Sequence, residues 1–128
     1  MRTGSRIEFR NITSDVRRIV GESGVRSGIA TVYTPHTTTA IFVNEDESGL
    51  RGDLMKVLEK LIPVEGGYQH DLVDDNAFAH LRSIIVSPSI TIPIRDGRLM
   101  LGTWQSIFLA EFDGPRTRTV YVQVLGFR

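Results

Sequence analysis

Residues 89–127 read SITIPIRDGRLMLGTWQSIFLAEFDGPRTRTVYVQVLGF, and this stretch decides the fold class. Isoleucines at 90, 92 and 94 alternate as on a strand with one buried face, and TVYVQVLGF alternates in the same way. Arg95-Asp96-Gly97 and Asp113-Gly114-Pro115 supply turns, so the segment predicts a three-strand antiparallel meander. Pro93 restricts the first strand to an edge, or to a position whose amide is not needed. Trp104 and Gln105 fall inside the long middle strand, beside Gly102, which lets another backbone approach closely. A tryptophan there serves either as core or as a platform for a ring.

Toward the N-terminus, Tyr33–Glu47 reads YTPHTTTAIFVNEDE. Ala40–Val43 is a short buried strand, with His36 just before it and Asn44-Glu45 just after it. The acids Glu45, Asp46 and Glu47 precede SGLRGDLMKVLEKLIP, whose Leu50, Leu54, Val57, Leu58 and Leu61 form one helical stripe that Pro63 stops. Acids there favour the positive end of the helix, so one or two of them serve structure. Ser5–Thr13 alternates as a half-buried strand. Thr13 or Ser14 caps a helix carrying Val16, Ile19 and Val20, and Gly24 ends it. Val25–Tyr33 is a further strand, in which Gly28 marks a bulge. Val64–Asn76 has no apolar period and reads as a loop. Asp74 or Asp75 caps a last helix, in which Ala77, His80, Leu81 and Ile84 share the buried face and Arg82 points away.

The whole is one α+β domain over residues 1–128, an antiparallel sheet doubled into a sandwich with two or three helices packed against it. No cysteine is present, so a transition metal would have to be held by imidazole and carboxylate. Basic and acidic residues balance at 15 each, which argues against a nucleic-acid partner. Arginine supplies all the basic residues except Lys56 and Lys60, a bias suited to bidentate contacts with phosphate or carboxylate. No apolar run approaches the ~18 residues of a membrane span, and MRTGSRIEFR lacks the apolar core of a signal peptide, so a soluble cytoplasmic protein is expected.

Histidine occurs only at 36, 70 and 80, each in a stretch crowded with Asp, Asn or Thr. Neither His-x-His nor a helical His-x-x-x-His is present. From spacing alone, a shared site and a set of one core and two loop histidines both stand. Nucleophile-elbow, cysteine-nucleophile and phosphate-loop motifs are absent.

The blocks PHTT (Pro35–Thr38), VNE (Val43–Glu45), YQHD (Tyr68–Asp71), DDNAFAHL (Asp74–Leu81), PSITIPI (Pro88–Ile94), LGTWQ (Leu101–Gln105) and E-x-D-G-P-R-x-R (Glu111–Arg118) resemble the YjbQ family, in order and spacing, from Val25 to Gly126. The resemblance implies a compact α+β subunit with a large antiparallel sheet, assembled as a homotrimer with its site near a subunit boundary. It implies a secondary thiamine-phosphate synthase activity, which joins a pyrimidine methyl diphosphate to a thiazole phosphate and releases pyrophosphate. His36, His70 and His80 fall on the family's histidine positions, and with Glu45 they are the candidate catalytic residues. Thr37, Asn44, Asn76, Thr103, Trp104, Gln105 and Arg118 are candidate contacts to a small phosphorylated or heterocyclic substrate. The three histidines are also candidate ligands for a divalent cation, zinc or magnesium. Two other functions suit the same residues: a metal-dependent hydrolase, and a non-enzymatic trimeric protein holding a metal or an anion. One departure stands out, since the family commonly has glycine where this chain has Ser87.

Overall fold

A computed structural model describes all residues, 1–128. Seven strands and three helices follow in the order β1 (Glu8–Asn11), α1 (Thr13–Ser23), β2 (Ser27–Tyr33), β3 (Thr39–Asn44), α2 (Ser48–Leu61), α3 (Ala77–Val86), β4 (Ser89–Arg95), β5 (Arg98–Leu99), β6 (Ser106–Glu111) and β7 (Tyr121–Phe127). A short 3₁₀ turn, Gln69–Leu72, interrupts the loop before α3. The strands form two antiparallel sheets, ordered β1-β6-β3 and β5-β4-β2-β7. No helix is long and apolar enough to cross a membrane.

The three-stranded sheet lies in the middle of the protein and is apolar on both faces. Ile41, Ile107 and Leu109 face the other sheet, meeting Ala30, Val32, Ile92 and Ile94, with Val16 and Val20 of α1 joining them. On the opposite face Phe9, Ala40, Phe108, Ala110 and Phe112 meet Leu58 of α2 and Phe78 and Ala79 of α3. The unbroken apolar run of IFLAEF therefore marks a strand covered on both sides, where alternation is not required. The meander does not form: β4 turns into the two-residue β5, β6 crosses to the other sheet, and β7 returns to pair with β2. Trp104 accordingly lies in a turn before β6 rather than inside a strand, and is 72% exposed, so it is not core.

Pro93 sits opposite Ile29 on β4, and β5 pairs only with Ile94 and Arg95, so no ladder amide is missing on its other side. Gly28 makes no bulge. It pairs one-to-one with Gly126, and a Cβ on either glycine would collide with the facing backbone. The two glycines let β2 and β7 approach more closely than side chains would allow.

Neither Thr13 nor Ser14 caps α1, which starts with no side-chain cap, and Thr13 Oγ1 accepts the Ile107 amide of β6 instead. Gly24 ends α1 in the left-handed region at φ 71°. Glu47 caps α2, its carboxylate accepting from the amides of Gly49 and Leu50, while Asp46 pairs with Arg51 at 2.7 Å. Neither Asp74 nor Asp75 caps α3. Its Ala77 amide donates instead to Asp71 Oδ1 at 3.2 Å.

The buried face of α3 is also rotated from the one its sequence suggests. Phe78, Ala79, Arg82 and Ser83 are buried, whereas Leu81 and Ile84 are exposed and His80 is partly so. Arg82 is drawn inward because its guanidinium lies 5.0 Å from the Phe78 ring centre and 5.8 Å from that of Phe112. It also donates to the carbonyl of Ile62 and to Glu59. Ser83 completes the face by donating to Thr39 O at 2.5 Å.

Ser87 ends α3 at φ 97°, a region that glycine enters without strain. Its carbonyl accepts the Ile41 amide at 3.0 Å, which ties the helix end to β3 and keeps the residue there. Ser87→Gly is expected to raise stability by about 1 kcal/mol in denaturant unfolding, by relieving that conformation. Gly28→Ala is expected to cost about 1–3 kcal/mol, with faster amide exchange in β7, since the added methyl forces the strands apart.

Candidate functional site

At the Thr39 end of β3 the chain builds a cleft of about 390 Å³ with no hydrophobic residue in its lining. It starts from Glu111, the last residue of β6, which is fully buried. A carboxylate there must be neutralised and hydrogen-bonded. Arg118, 4% exposed, does this from two nitrogens, Nε to Oε1 at 2.7 Å and Nη2 to Oε2 at 2.5 Å. Thr3 Oγ1 donates to Oε1 at 2.8 Å, and the Asp113 amide donates to Oε2 at 3.2 Å. Burial by itself pushes the Glu111 carboxyl up, but these partners outweigh it and hold it below its ordinary value.

Arg118 is thereby fixed. Its Nη2 also donates to Thr38 Oγ1 at 2.8 Å. Nη1 has no protein partner, yet no buried polar atom lacks one, so Nη1 reaches solvent, and Arg118 forms part of the cleft wall.

His36 stands beside it on the β2–β3 loop. That loop is pinned by the Thr34–Thr39 hydroxyl pair at 2.7 Å and by the Phe112 amide donating to Thr38 O at 3.1 Å. The Thr119 amide, next to Arg118, donates to His36 Nε2 at 2.9 Å. The neutral ring therefore carries its proton on Nδ1. Burial and then the Arg118 charge hold the His36 pKa below its ordinary value, with Glu111 acting against them.

The other two histidines meet at the opposite side. Their rings contact edge to face, with centres 4.8 Å apart. Asn76 donates from Nδ2 to Asp113 Oδ2 at 2.9 Å, which leaves its Oδ1 to accept from His70 Nε2 at 3.0 Å. The neutral His70 ring then bears its lone pair on Nδ1. Asp113 is further engaged by Arg116 at 3.2 Å and, more loosely, by Arg6 at 3.9 Å. Asp74 is the remaining acid in the lining, and its Oδ1 accepts the Asp75 amide.

His36, Thr37, Asn76, His80 and Arg118 thus line one cleft, and His70 joins it through His80 and Asn76. As arranged, the histidines are not a metal site: no three His, Asp or Glu side chains converge closely enough within the chain to hold an ion. His36 is turned to Thr119, and the other two rings meet edge to face rather than lone pair to lone pair.

The remaining candidates lie elsewhere. Asn44 pairs with Ser106 at the far end of β3, while Thr39 pairs with Glu111 at the cleft. Five steps of about 3.3 Å each separate the two ends. Asn44 and Glu45, with Thr103, Trp104 and Gln105 in the turn before Ser106, therefore do not reach the histidines within one chain. Gln105 is occupied in that turn, its side chain accepting the Gly102 amide at 2.8 Å.

Thr38, Asp113 and Arg116 line the cleft and Glu111 and Thr119 support it, yet none was a candidate site residue, although all but Thr119 fall in the PHTT and E-x-D-G-P-R-x-R blocks. One signal was present: Glu111 interrupts an apolar strand, and an acid so placed requires a cation.

The comparisons agree over nearly the whole chain. The family model described as UPF0047 protein YjbQ-like matches residues 1–127. A UPF0047 protein of Archaeoglobus fulgidus is 50% identical over 98% of this chain and 97% of its own. The UPF0047 protein YugU of Bacillus subtilis is 38% identical over 98% and 96%. Among solved structures, a YbjQ-like protein of unknown function from Sulfolobus solfataricus P2 superimposes with a TM-score of 0.96 at 39% identity, over 98% of this chain and 92% of the other. A hypothetical protein from Aeropyrum pernix K1 gives 0.95 at 42% identity, over 98% and 94%. With a family model matched over residues 1–127, a relative 50% identical over nearly the full length of both chains and a solved structure at a TM-score of 0.96, the chain belongs to the YjbQ/UPF0047 family.

Proposed function

We propose that the polar cleft binds a small phosphorylated molecule, and that it serves the joining of a pyrimidine methyl diphosphate to a thiazole phosphate. The observation that carries this reading is the Arg118 guanidinium, fixed by Glu111 and Thr38 in the wall of the cleft that His36 and Thr37 also line. A guanidinium held in place before the ligand arrives meets developing negative charge without reorganising.

In this reaction the bond from the methylene carbon to the diphosphate oxygen breaks, and its electron pair leaves with pyrophosphate. The thiazole nitrogen lone pair forms the new C–N bond, so no proton has to be removed. The chain's task is to hold the leaving group and to align two rings. Arg118, Arg116, His36 Nδ1–H and the Thr37 hydroxyl are the donors for the first task. The His70–His80 ring pair offers a surface for the second.

The second reading is a non-enzymatic anion-binding protein, for which the same donors suffice. A histidine-based metal hydrolase would require donors from another copy. Self-association as a homotrimer is part of the proposal. It is supported by the exposed Ile29, Tyr33, Tyr121, Leu125 and Phe127 on the outer side of the four-stranded sheet, more apolar surface in one place than an isolated chain usually presents.

The direct test is formation of thiamine phosphate by wild type, His36→Ala and Arg118→Lys, with mass by light scattering and folding by circular dichroism. Both variants are expected to remain folded and to lose about 100-fold or more in rate. Undiminished turnover by His36→Ala would remove His36 from the reaction, and pyrophosphate binding by calorimetry without product under any divalent ion would leave binding alone.

Proton linkage gives a second expectation. The native His36 pKa lies below 6.5, so on acidification the unfolded chain takes up the proton first. Stability is complete above about pH 6.5 and falls as pH drops toward the native value. Glu111, held below 4.5, adds a further loss below about that pH. Thermal melts across this range should show a decline below about pH 6.5 that is smaller in His36→Gln. Glu111→Gln, which leaves the buried Arg118 charge uncompensated, is expected to cost about 3 kcal/mol at neutral pH by urea unfolding.

A further inference from the structure

The far end of the central sheet holds a second concavity, of about 340 Å³, between α2 and the three-stranded sheet. Its floor is aromatic: Phe42 stacks on Phe108 at 4.8 Å between centres, and Phe9 meets Phe42 edge-on at 5.4 Å. Its wall is the α2 stripe of Leu50, Leu54 and Leu58. Only Leu58 of that helix is fully buried, so α2 roofs the space without filling it. A space of this size and apolarity falls at the small end of those that bind compact organic molecules.

The polar groups at its mouth say which kind of molecule. Asn44, Glu45 and Arg51 lie there. The Arg51 charge is matched by Asp46: Nε donates to Asp46 Oδ1 and Nη1 to the Phe9 carbonyl, each at 2.7 Å, and the guanidinium lies 4.9 Å from the Phe108 ring centre. Asp46 is neutralised by Arg51 and also accepts from Asn11 at 2.7 Å, while Glu47 is consumed in capping α2. Glu45 alone of the three acids has a carboxylate with no partner; its only hydrogen bond runs from its backbone amide to Asn44 Oδ1, at 2.8 Å. That bond leaves the Asn44 Nδ2 hydrogens to the mouth. The charge the site presents is therefore negative, above an aromatic floor.

We infer that this second concavity is a binding site for a small flat aromatic cation or amino-substituted heterocycle, its ring against Phe42 and its charged or N–H edge toward Glu45. An anionic ring of the same shape is disfavoured by the same carboxylate. The site is separate from the polar cleft within the chain and does not depend on the reaction proposed for it.

The test uses benzamidine and its anionic isostere benzoate as probes, measured by calorimetry and by chemical-shift changes on the full chain. Benzamidine is expected to saturate with shifts confined to β3, α2 and β6, and to bind about tenfold or more tightly than benzoate. Glu45→Gln, on an exposed side chain that no fold contact requires, should abolish that preference. Leu54→Trp, which fills the space, should abolish binding of both probes. Equal binding of the two probes by wild type, no saturable binding of either, or benzamidine binding unchanged in both variants would overturn the inference. So would a drop in oligomer mass in Leu54→Trp together with no benzamidine binding by wild type, because a second copy would then be the occupant. Pyrophosphate binding in the polar cleft serves as an internal control and should be the same in wild type and Leu54→Trp.

Discussion

Glu111 is a carboxylate at the end of a strand that is covered on both faces, and neutralising it organises one whole end of the molecule. Leaving such a charge unpaired would cost several kcal/mol, comparable to a large share of a small domain's stability. The partner comes from seven residues further on, and drawing Arg118 inward carries Thr119 to His36. The same carboxylate takes the Thr3 hydroxyl and so fastens the N-terminal segment. The donors that make the cleft suitable for an anion are thus held by the same bonds that make the fold tolerable, and pre-organisation there needs no additional strain.

The central position of the three-stranded sheet explains why the molecule has two distinct ends. Both of its faces are consumed in cores, so polar chemistry can gather only where its strands stop. At the Glu111 end the loops from β2, from α3 and from β6 converge with hydroxyls, imidazoles and arginines. At the Asn44 end α2 departs across the sheet and leaves an apolar space rimmed by Asn44 and Glu45. The YjbQ/UPF0047 blocks are divided between these ends. Within one chain they are two neighbourhoods rather than one site.

Packing of α3 shows how a charged side chain can outcompete aliphatic ones for the interior. Periodicity assigns Leu81 and Ile84 to the core, yet Arg82 takes the inward position because two aromatic faces, one carbonyl and Glu59 satisfy it. The consequence is functional as well as structural. The rotation turns His80 away from the core and toward His70, where it lines the cleft.

Local sequence determined much of this protein. Alternating isoleucines, turn residues and the Gly24 stop are short-range signals, and most strands, the end of α1 and the α+β class follow from them because each depends on a few neighbouring residues. The same holds for Glu47 as a cap and for the acceptable placement of Pro93. Tertiary structure alone decided which strands pair, since Ser106–Glu111 has enough apolar surface to join either sheet and only the whole core selects one. It alone decided that Gly28 faces Gly126, that Arg82 is buried and Trp104 exposed, and that His36 and His80 line one cleft with His70 packed on His80, while Glu45 lies at the other end of β3. These outcomes rest on contacts between residues far apart in the chain, and no local pattern encodes a partner's position when that partner is brought there by the burial of something else.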